Sequence, residues 1–438
     1  MFTYVYLKNF KSFGEIRFDF KKTKSETKKF VAIYGENGSG KSNFVSVFEL
    51  LFFTINYFKF KEMLSLTFGD IQRAANQFSY SNMNSIFTMI RTKLSNYRMI
   101  GCDEATTIEI GFSEKGTDGY YRFVFKDEVI AEELYYLCGK KRGIMFSINA
   151  EENSRVISKN LFSAEYKKEF EQELDKYWGK GTFLGVLVKE LDAKNRSYIE
   201  NNISNNLLDA YLVLNSFFAE FSYDAELVKF GGIDFRNNSY KHDIPFGKRL
   251  AQKEKVLNAL FCELYSDIKE IYYDKRLPED GSLPPLHVKK VIAGEIRDVL
   301  FYYESSGTRR ILELVDAIVA VMNGTTVICD EIDTGIHDLL MNSIITSLVA
   351  NAPGQLIITT HNTLLLESID PQYAYVIYVD CDGNKEARCF ADYGGRIQKT
   401  NNARNLYLKG VYGGIPYTSE IDFSFLSNNE SDGEVSGE

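Results

Sequence analysis

Gly35-Glu-Asn-Gly-Ser-Gly-Lys-Ser42 decides how this chain is read. The stretch fits the pattern G-x-x-x-x-G-K-S, and its flanks supply the required context. Lys29 to Tyr34 (KFVAIY) is a short apolar run of the kind that forms a strand buried on both faces. After Ser42, the residues Phe44, Val45, Phe48, Leu51 and Phe52 recur at helical spacing. Glycines let the backbone wrap a phosphate with its N–H groups, and the helix start adds its positive dipole end. Lys41 is expected to supply charge to the β- and γ-phosphates, and the Ser42 hydroxyl to hold Mg²⁺. Glu36, Asn37, Gly38, Ser39, Gly40 and Asn43 complete the expected nucleotide cradle begun by Gly35.

Outward from this loop the chain falls into two distant blocks. FTYVYLKN (2–9) and GEIRFDF (14–20) alternate like half-buried strands, and the residues between them predict a hairpin. The second block starts near Leu286. Val288 to Tyr303 alternates like another strand pair, and Ile311 to Met322 reads as a well-buried helix. Three apolar runs follow, Thr326–Cys329, Leu356–Thr359 and Val376–Val379, with a helical stretch from Asp338 to Val349 between the first two. Strand–helix–strand alternation predicts a parallel sheet.

The ends of these runs carry the remaining chemistry. Asp330 and Glu331 close a hydrophobic strand: Asp330 is expected to hold Mg²⁺ through water, and Glu331 to polarise the attacking water. His361 closes the next strand, 30 residues later (361 − 331), where an imidazole can hydrogen-bond a γ-phosphate. Ser305, Ser306, Gly307 and Thr308 open the buried helix, either as an anion site or as a plain N-cap.

Composition bounds the rest. With 438 residues, 45% hydrophobic, the chain can bury a sizeable core without disulfides. The balance of 51 basic and 60 acidic residues gives net −9, which argues against a whole-molecule nucleic-acid field. No membrane span or secretory signal is visible, and the scattered cysteines and four histidines make a zinc site a poor fit. The expectation is a cytoplasmic protein that does not engage a membrane. Between the blocks, Thr107–Phe112 and Tyr120–Phe125 flank a turn-rich SEKGTDG as a hairpin. Leu161, Tyr166, Phe170, Leu174 and Tyr177 share one helical face, and so do Leu257, Leu260, Phe261, Leu264, Ile268 and Ile271. The last dozen residues are polar and acidic, which predicts a disordered tail over 427–438.

Phosphate loop, small-residue helix start, acidic strand and strand-end histidine, in this order, resemble an ABC-type ATPase domain. The resemblance covers residues 1–58 and about 286–415. It implies an α/β fold, an ABC-type P-loop sheet with an antiparallel β lobe, interrupted by a mostly helical insertion at 59–285. Within the insertion the expectation is a hairpin region over about 100–148 and a helical subdomain over about 155–275. YESSGTRR, Glu331-Ile-Asp-Thr-Gly-Ile-His337 and Leu406-Tyr-Leu-Lys-Gly-Val-Tyr-Gly-Gly-Ile-Pro416 are most similar to stand-alone bacterial ATPases of abortive-infection and phage-defence modules. These are the overcoming-lysogenization-defect-like group, commonly encoded beside a separate toprim-like nuclease, as in the PARIS system.

The resemblance implies ATP and Mg²⁺ as cofactors and a head-to-tail pair of copies. Ser306 and Gly307 would then reach the γ-phosphate held by the partner's loop, and Asp333 would contact the opposing subunit. A separate nuclease effector and a phage protein trigger are the implied partners. The signature reads SSGT where the transporter-like form is SGGQ, and Gln72 and Gln77 both stand as the Mg²⁺-sensing glutamine. A DNA-maintenance clamp is the rival function. Asp380 and Asp382 mimic a nuclease metal pair, but a hairpin turn is the expected reading. The basic run Arg396, Lys399, Arg404, Lys409 is expected as a solvated helix face.

Overall fold

The structure is a computed structural model that describes residues 1–63, 93–223, 226–231, 246–274, 284–393 and 402–415. Gln72, Gln77, Arg396, Lys399 and the acidic tail at 427–438 lie outside the described residues.

The chain is α/β. Strands β1 (Phe2–Phe10) and β2 (Phe13–Asp19) form the expected hairpin, followed by β3 (Phe30–Tyr34) and helix α1 (Lys41–Ile55). Next come β4 (Thr106–Glu114), β5 (Thr117–Phe125), β6 (Val129–Cys138), β7 (Lys141–Asn149) and β8 (Ser154–Ile157). Helices Ala164–Tyr177, Phe183–Ala193, Arg196–Asn202 and Asn205–Asn215 lead into β9 (Phe217–Tyr223) and β10 (Glu226–Gly231). The helix Phe246–Leu264 precedes β11 (Ile268–Tyr273), β12 (Leu286–Ile292) and β13 (Glu295–Leu300). The closing part holds the signature helix (Ser306–Met322), β14 (Thr326–Cys329), helix Asp338–Asn351, β15 (Gln355–Thr359), β16 (Ala374–Val379), β17 (Lys385–Cys389) and helix Ala403–Leu408.

Two seven-stranded sheets organise the core. One is antiparallel, in the order β2-β1-β4-β5-β6-β7-β8. The other has the order β10-β9-β14-β15-β3-β16-β17, and its five middle strands run parallel. Helix α1 lies in the apolar core shared by the two sheets. Phe48 packs on Phe2 of the antiparallel lobe at 5.1 Å and on Phe217 of the parallel sheet at 6.0 Å between ring centroids. In β3, Val31 and Ile33 face this core, while Phe30, Ala32 and Tyr34 face a second core built on the signature helix and helix 338–351. That is why KFVAIY shows no polar alternation: both faces are dry.

The ladders run across the expected boundaries at 59 and 285. Strand β1 pairs β4 as well as β2, and Val5 and Leu7 on it are fully buried. Strand β9, from deep in the intervening stretch, pairs β14 in parallel and so stands beside the acidic strand. The intervening stretch therefore holds strands as well as helices. A second difference concerns Ile268 and Ile271. The helix stops at Leu264, and both isoleucines lie on β11, where they are buried. The Ser266–Asp267 turn breaks the helix, and two β-branched residues suit the strand that follows.

One buried carboxylate fastens the lobe to the helices beside it. Glu132 on β6 is 1% exposed and accepts from the Phe183 amide (2.6 Å), the Tyr121 hydroxyl (2.8 Å) and the Trp178 indole (2.9 Å). It thereby caps the N-terminus of helix 183–193. Burial pushes its pKa up from 4.5 to about 7, against those hydrogen bonds.

Candidate functional site

Strands β14, β15 and β3 are neighbours in the parallel sheet, so their carboxyl ends open on one edge. In open α/β sheets ligands bind at such an edge. Here β3 delivers the loop 35–42, β14 delivers Asp330 and Glu331, and β15 delivers His361.

The loop is shaped by glycine and backed by the lobe. Gly40 caps α1 with φ 111°, and a Cβ there would sit 2.7 Å from the Phe13 ring. A Cβ on Gly35 would sit 2.6 Å from the Ser39 hydroxyl oxygen. Lys41 is buried, and its ammonium donates to the carbonyls of Gly35 (2.8 Å) and Glu36 (3.1 Å). Burial pulls its pKa down while Glu331, Asp330, Asp333 and Glu36 pull it up. Ser39 is fully buried, and its hydroxyl has no hydrogen-bond partner. Asn37, Gly38 and Ser42 are exposed at the mouth, and Asn43 donates to the Ser12 hydroxyl at 2.7 Å. The first N–H groups of α1 have no partner within the helix. Together these features fit a polyphosphate.

The acids are held by a neighbour. The Thr359 hydroxyl donates to Asp330 at 2.5 Å and accepts the Glu331 amide at 2.8 Å. Burial raises the Asp330 pKa, while hydrogen bonds from Thr359 and Ser42 hold it down. The Ser42 hydroxyl and the Asp330 carboxylate form an oxygen-only pair that suits Mg²⁺. Glu331 sits at φ 44°, a left-handed conformation unusual outside glycine, and this bend turns the chain into the loop 331–336. Asp333 accepts the His361 amide at 3.2 Å. The His361 ring is exposed at the edge. Desolvation and the Lys41 charge push its pKa below the ordinary value, against the pull of Asp333, Glu331 and Asp330.

The signature helix meets this cluster through the same loop. A Cβ on Gly307 would lie 2.8 Å from the Gly335 carbonyl, so only glycine lets the two segments touch. Ser305 is the N-cap: its hydroxyl accepts the Thr308 amide at 3.1 Å and bonds the Thr308 hydroxyl at 2.8 Å. Thr308 is buried beneath that cap. Both side chains are thus engaged within the helix start, while Ser306 is exposed and Gly307 half-buried. One turn on, Arg310 pairs with fully buried Glu220 of β9 at 2.6 Å. The backbone carbonyl of Glu220 accepts the Asp330 amide at 3.0 Å.

Sequence reasoning missed Thr359, Ser12, Lys385 and Glu220. Thr359 could have been flagged as a hydroxyl at the end of a buried strand next to two acids. The other three depend on contacts made across long stretches of chain. The turn reading of Asp380 holds: its carboxylate accepts the amides of Asp382 (2.9 Å) and Asn384 (2.8 Å) and the Asn384 side chain (2.9 Å). Arg404 pairs with Glu367 at 3.0 Å, and Lys409 is exposed. Among the described residues no group of three or more His, Cys, Asp or Glu forms a metal centre, and no helix is long and apolar enough to cross a membrane.

No curated protein matches the chain. Solved structures similar to it include an SMC head bound to the C-winged helix domain of ScpA, at 13% identity and TM-score 0.45, covering 88% of this chain and 96% of that one. Others are the SMC head domain from Thermotoga maritima, at 15% and 0.37, covering 89% and 98%, and the Smc head with coiled coil and joint from Pyrococcus yayanosii, at 13% and 0.45, covering 94% and 99%. Residues 30–367 match the family described as "AAA domain, putative AbiEii toxin, Type IV TA system". That span is well over half of the 438 residues, so the chain belongs to this family and is a P-loop ATPase of the AAA/ABC type.

Proposed function

We propose that this protein is an ATP-gated switch in which two copies close head to tail on nucleotide. The observation that carries the proposal is the split of the site. Phosphate loop, acids and histidine gather on one sheet edge, while the helix start at Ser306 and Gly307, joined to that cluster only through the Gly335 contact, keeps Ser306 exposed and its side-chain cap already satisfied. Beside that helix start, Tyr302 and Tyr303 are 73% and 74% exposed. Two adjacent exposed aromatics suit an association surface.

In this reading Lys41 and the loop amides hold the β- and γ-phosphates. His361 hydrogen-bonds the terminal phosphate, and Glu331 accepts the proton of the attacking water. Ser42 and Asp330 would hold Mg²⁺, which would supply charge neutralisation at the phosphates. Ser306 and Gly307 of the partner complete the cage, and Asp333 lies in the loop that faces the opposing copy. ATP favours the closed pair because it binds that form better, and hydrolysis removes the bridge.

The output goes to a separate chain, a nuclease in our reading, and the trigger is a phage component. The family description, with its toxin–antitoxin vocabulary, and the resemblance to phage-defence ATPases support that direction. The acidic balance of the chain favours a protein partner over a DNA clamp. Sedimentation of the Glu331→Gln variant with ATP and Mg²⁺ tests the switch. The expected result is a stable assembly of at least two copies, absent without ATP and absent in Lys41→Ala. An unchanged mass with ATP overturns the switch, and hydrolysis by Glu331→Gln at the parent rate overturns the assignment of the base.

A further inference from the structure

The tip of the phosphate loop is held by a residue from near the other end of the chain. Lys385 opens β17, and its ammonium donates to the Gly38 carbonyl at 3.0 Å and to the Ser12 hydroxyl at 2.7 Å. Its stem runs toward the Phe13 ring, with the ammonium 5.6 Å from the ring centroid. The Ser12 hydroxyl also accepts from Asn43 in the first turn of α1. One serine thus ties α1 and β17 to the first hairpin of the chain.

Both hydrogen-bond partners of Lys385 are neutral. Burial lowers its pKa, with Glu36 pulling the other way. Lys41 does the matching job on the other limb of the loop, where its ammonium holds the carbonyls of Gly35 and Glu36. Two ammonium groups therefore hold three carbonyls of one short loop. In a trans peptide the carbonyl and the following N–H point opposite ways. With the Gly38 carbonyl fixed toward Lys385, the Ser39 N–H is turned inward, where it meets the Glu36 carbonyl at 3.2 Å.

We propose that Lys385 is a positioning residue of the nucleotide site: it fixes the Gly38–Ser39 peptide, whose N–H closes the turn on Glu36, so that the remaining loop amides meet the phosphates of a nucleoside di- or triphosphate without reorganisation. The inference rests on the reading of residues 35–42 as the phosphate loop. Preorganisation of this kind acts on binding more than on the chemical step, because its cost is otherwise met each time ligand binds. Lysine at this place also adds positive charge to the loop without being offset by a bonded carboxylate.

Three full-length variants test it: Lys385→Met, Lys385→Arg and Lys41→Ala, each measured for ATP affinity, KM, kcat and melting temperature with and without ATP. For Lys385→Met, which deletes the hydrogen bonds to Gly38 and Ser12, KM and Kd for ATP are expected to rise about tenfold. The kcat should change far less, and the stabilisation by ATP should shrink while the ligand-free melting temperature holds. Lys385→Arg should recover most of the affinity. A drop in ligand-free melting temperature with unchanged KM would show a purely structural lysine and overturn the proposal. Loss of binding in Lys41→Ala with parent affinity in Lys385→Met overturns the positioning role alone. Retained binding in Lys41→Ala overturns the phosphate-loop reading beneath it. Should Lys385→Met fail to fold, Ser12→Ala removes the shared acceptor, and a rise in KM is again the expected result, with parent KM counting against the proposal.

Discussion

Thr359 and Asp330 are joined by a 2.5 Å hydrogen bond in which the threonine hydroxyl donates to the buried carboxylate. The same oxygen accepts the Glu331 amide, so one side chain from β15 orients both acids that end β14. Thr359→Val keeps the shape and deletes both bonds. The expected kcat loss is ten- to a hundredfold, about 1.5–3 kcal/mol, with ATP affinity little changed. Asp330 also loses a bond that holds its pKa down, so the acid limb of the pH–rate profile should move to higher pH. Parent kcat with an unmoved limb would remove Thr359 from this role.

Gly307 and the Gly335 carbonyl leave no room for a methyl group, since a Cβ would approach to 2.8 Å. Gly307→Ala must therefore push the signature helix and the loop 331–336 apart. ATP binding by one copy should persist. ATP-induced association in sedimentation, and hydrolysis with it, should fall by about tenfold or more, equivalent to about 1.4 kcal/mol. Undiminished association would show that the contact serves packing alone.

Arg310 and Glu220 form an ion pair in which the glutamate is fully buried. Arg310→Met removes the arginine partner of this buried carboxylate, and the expected cost is about 3 kcal/mol in urea unfolding. The double variant Arg310→Met with Glu220→Leu should recover much of that stability. If the double variant regains stability but loses hydrolysis, the pair is shown to serve coupling between the signature helix and the acidic strand. Full activity in the double variant would assign it to stability only.

Glu132 sets a pH dependence of folding. It titrates near pH 7 in the folded chain against an ordinary value of 4.5, so the unfolded state loses its proton first. Stability is then fully present below about pH 4.5 and falls as pH rises toward 7, by about 3 kcal/mol from this one group. Urea unfolding across that window should show the decline, and Glu132→Gln should flatten it. An equal slope in both proteins would place the titration elsewhere.

The parts of the fold legible in the sequence are those whose burial leaves a local signature. The strand at 30–34, the helix after Ser42, the acidic strand and the hairpin around Asp380 all announce themselves through periodicity or turn residues. The loop 35–42 was legible because its glycine spacing and its Lys-Ser pair follow the pattern G-x-x-x-x-G-K-S. Strand β9 was not. Its Glu220 looks like a surface residue until Arg310, 90 positions away, neutralises it. The helix ending at Leu264 misled for a different reason: Ile268 and Ile271 happen to continue its spacing although they belong to β11. The engagement of Ser305 and Thr308 in a cap was open between two readings, since the same residue types serve anions and helix starts.

Strand β9 has a consequence for engineering. A graft that replaces residues 59–285 with a segment of another protein removes one neighbour of β14 in the parallel sheet, baring the flank of β14 and leaving Arg310 with Glu313 but without the buried carboxylate of Glu220. Viable chimeras must keep 217–223 and splice on either side of it. The stretch 59–285 is therefore tied to the parallel sheet by a shared strand, and exchanging it for another is a matter of choosing seams within that sheet.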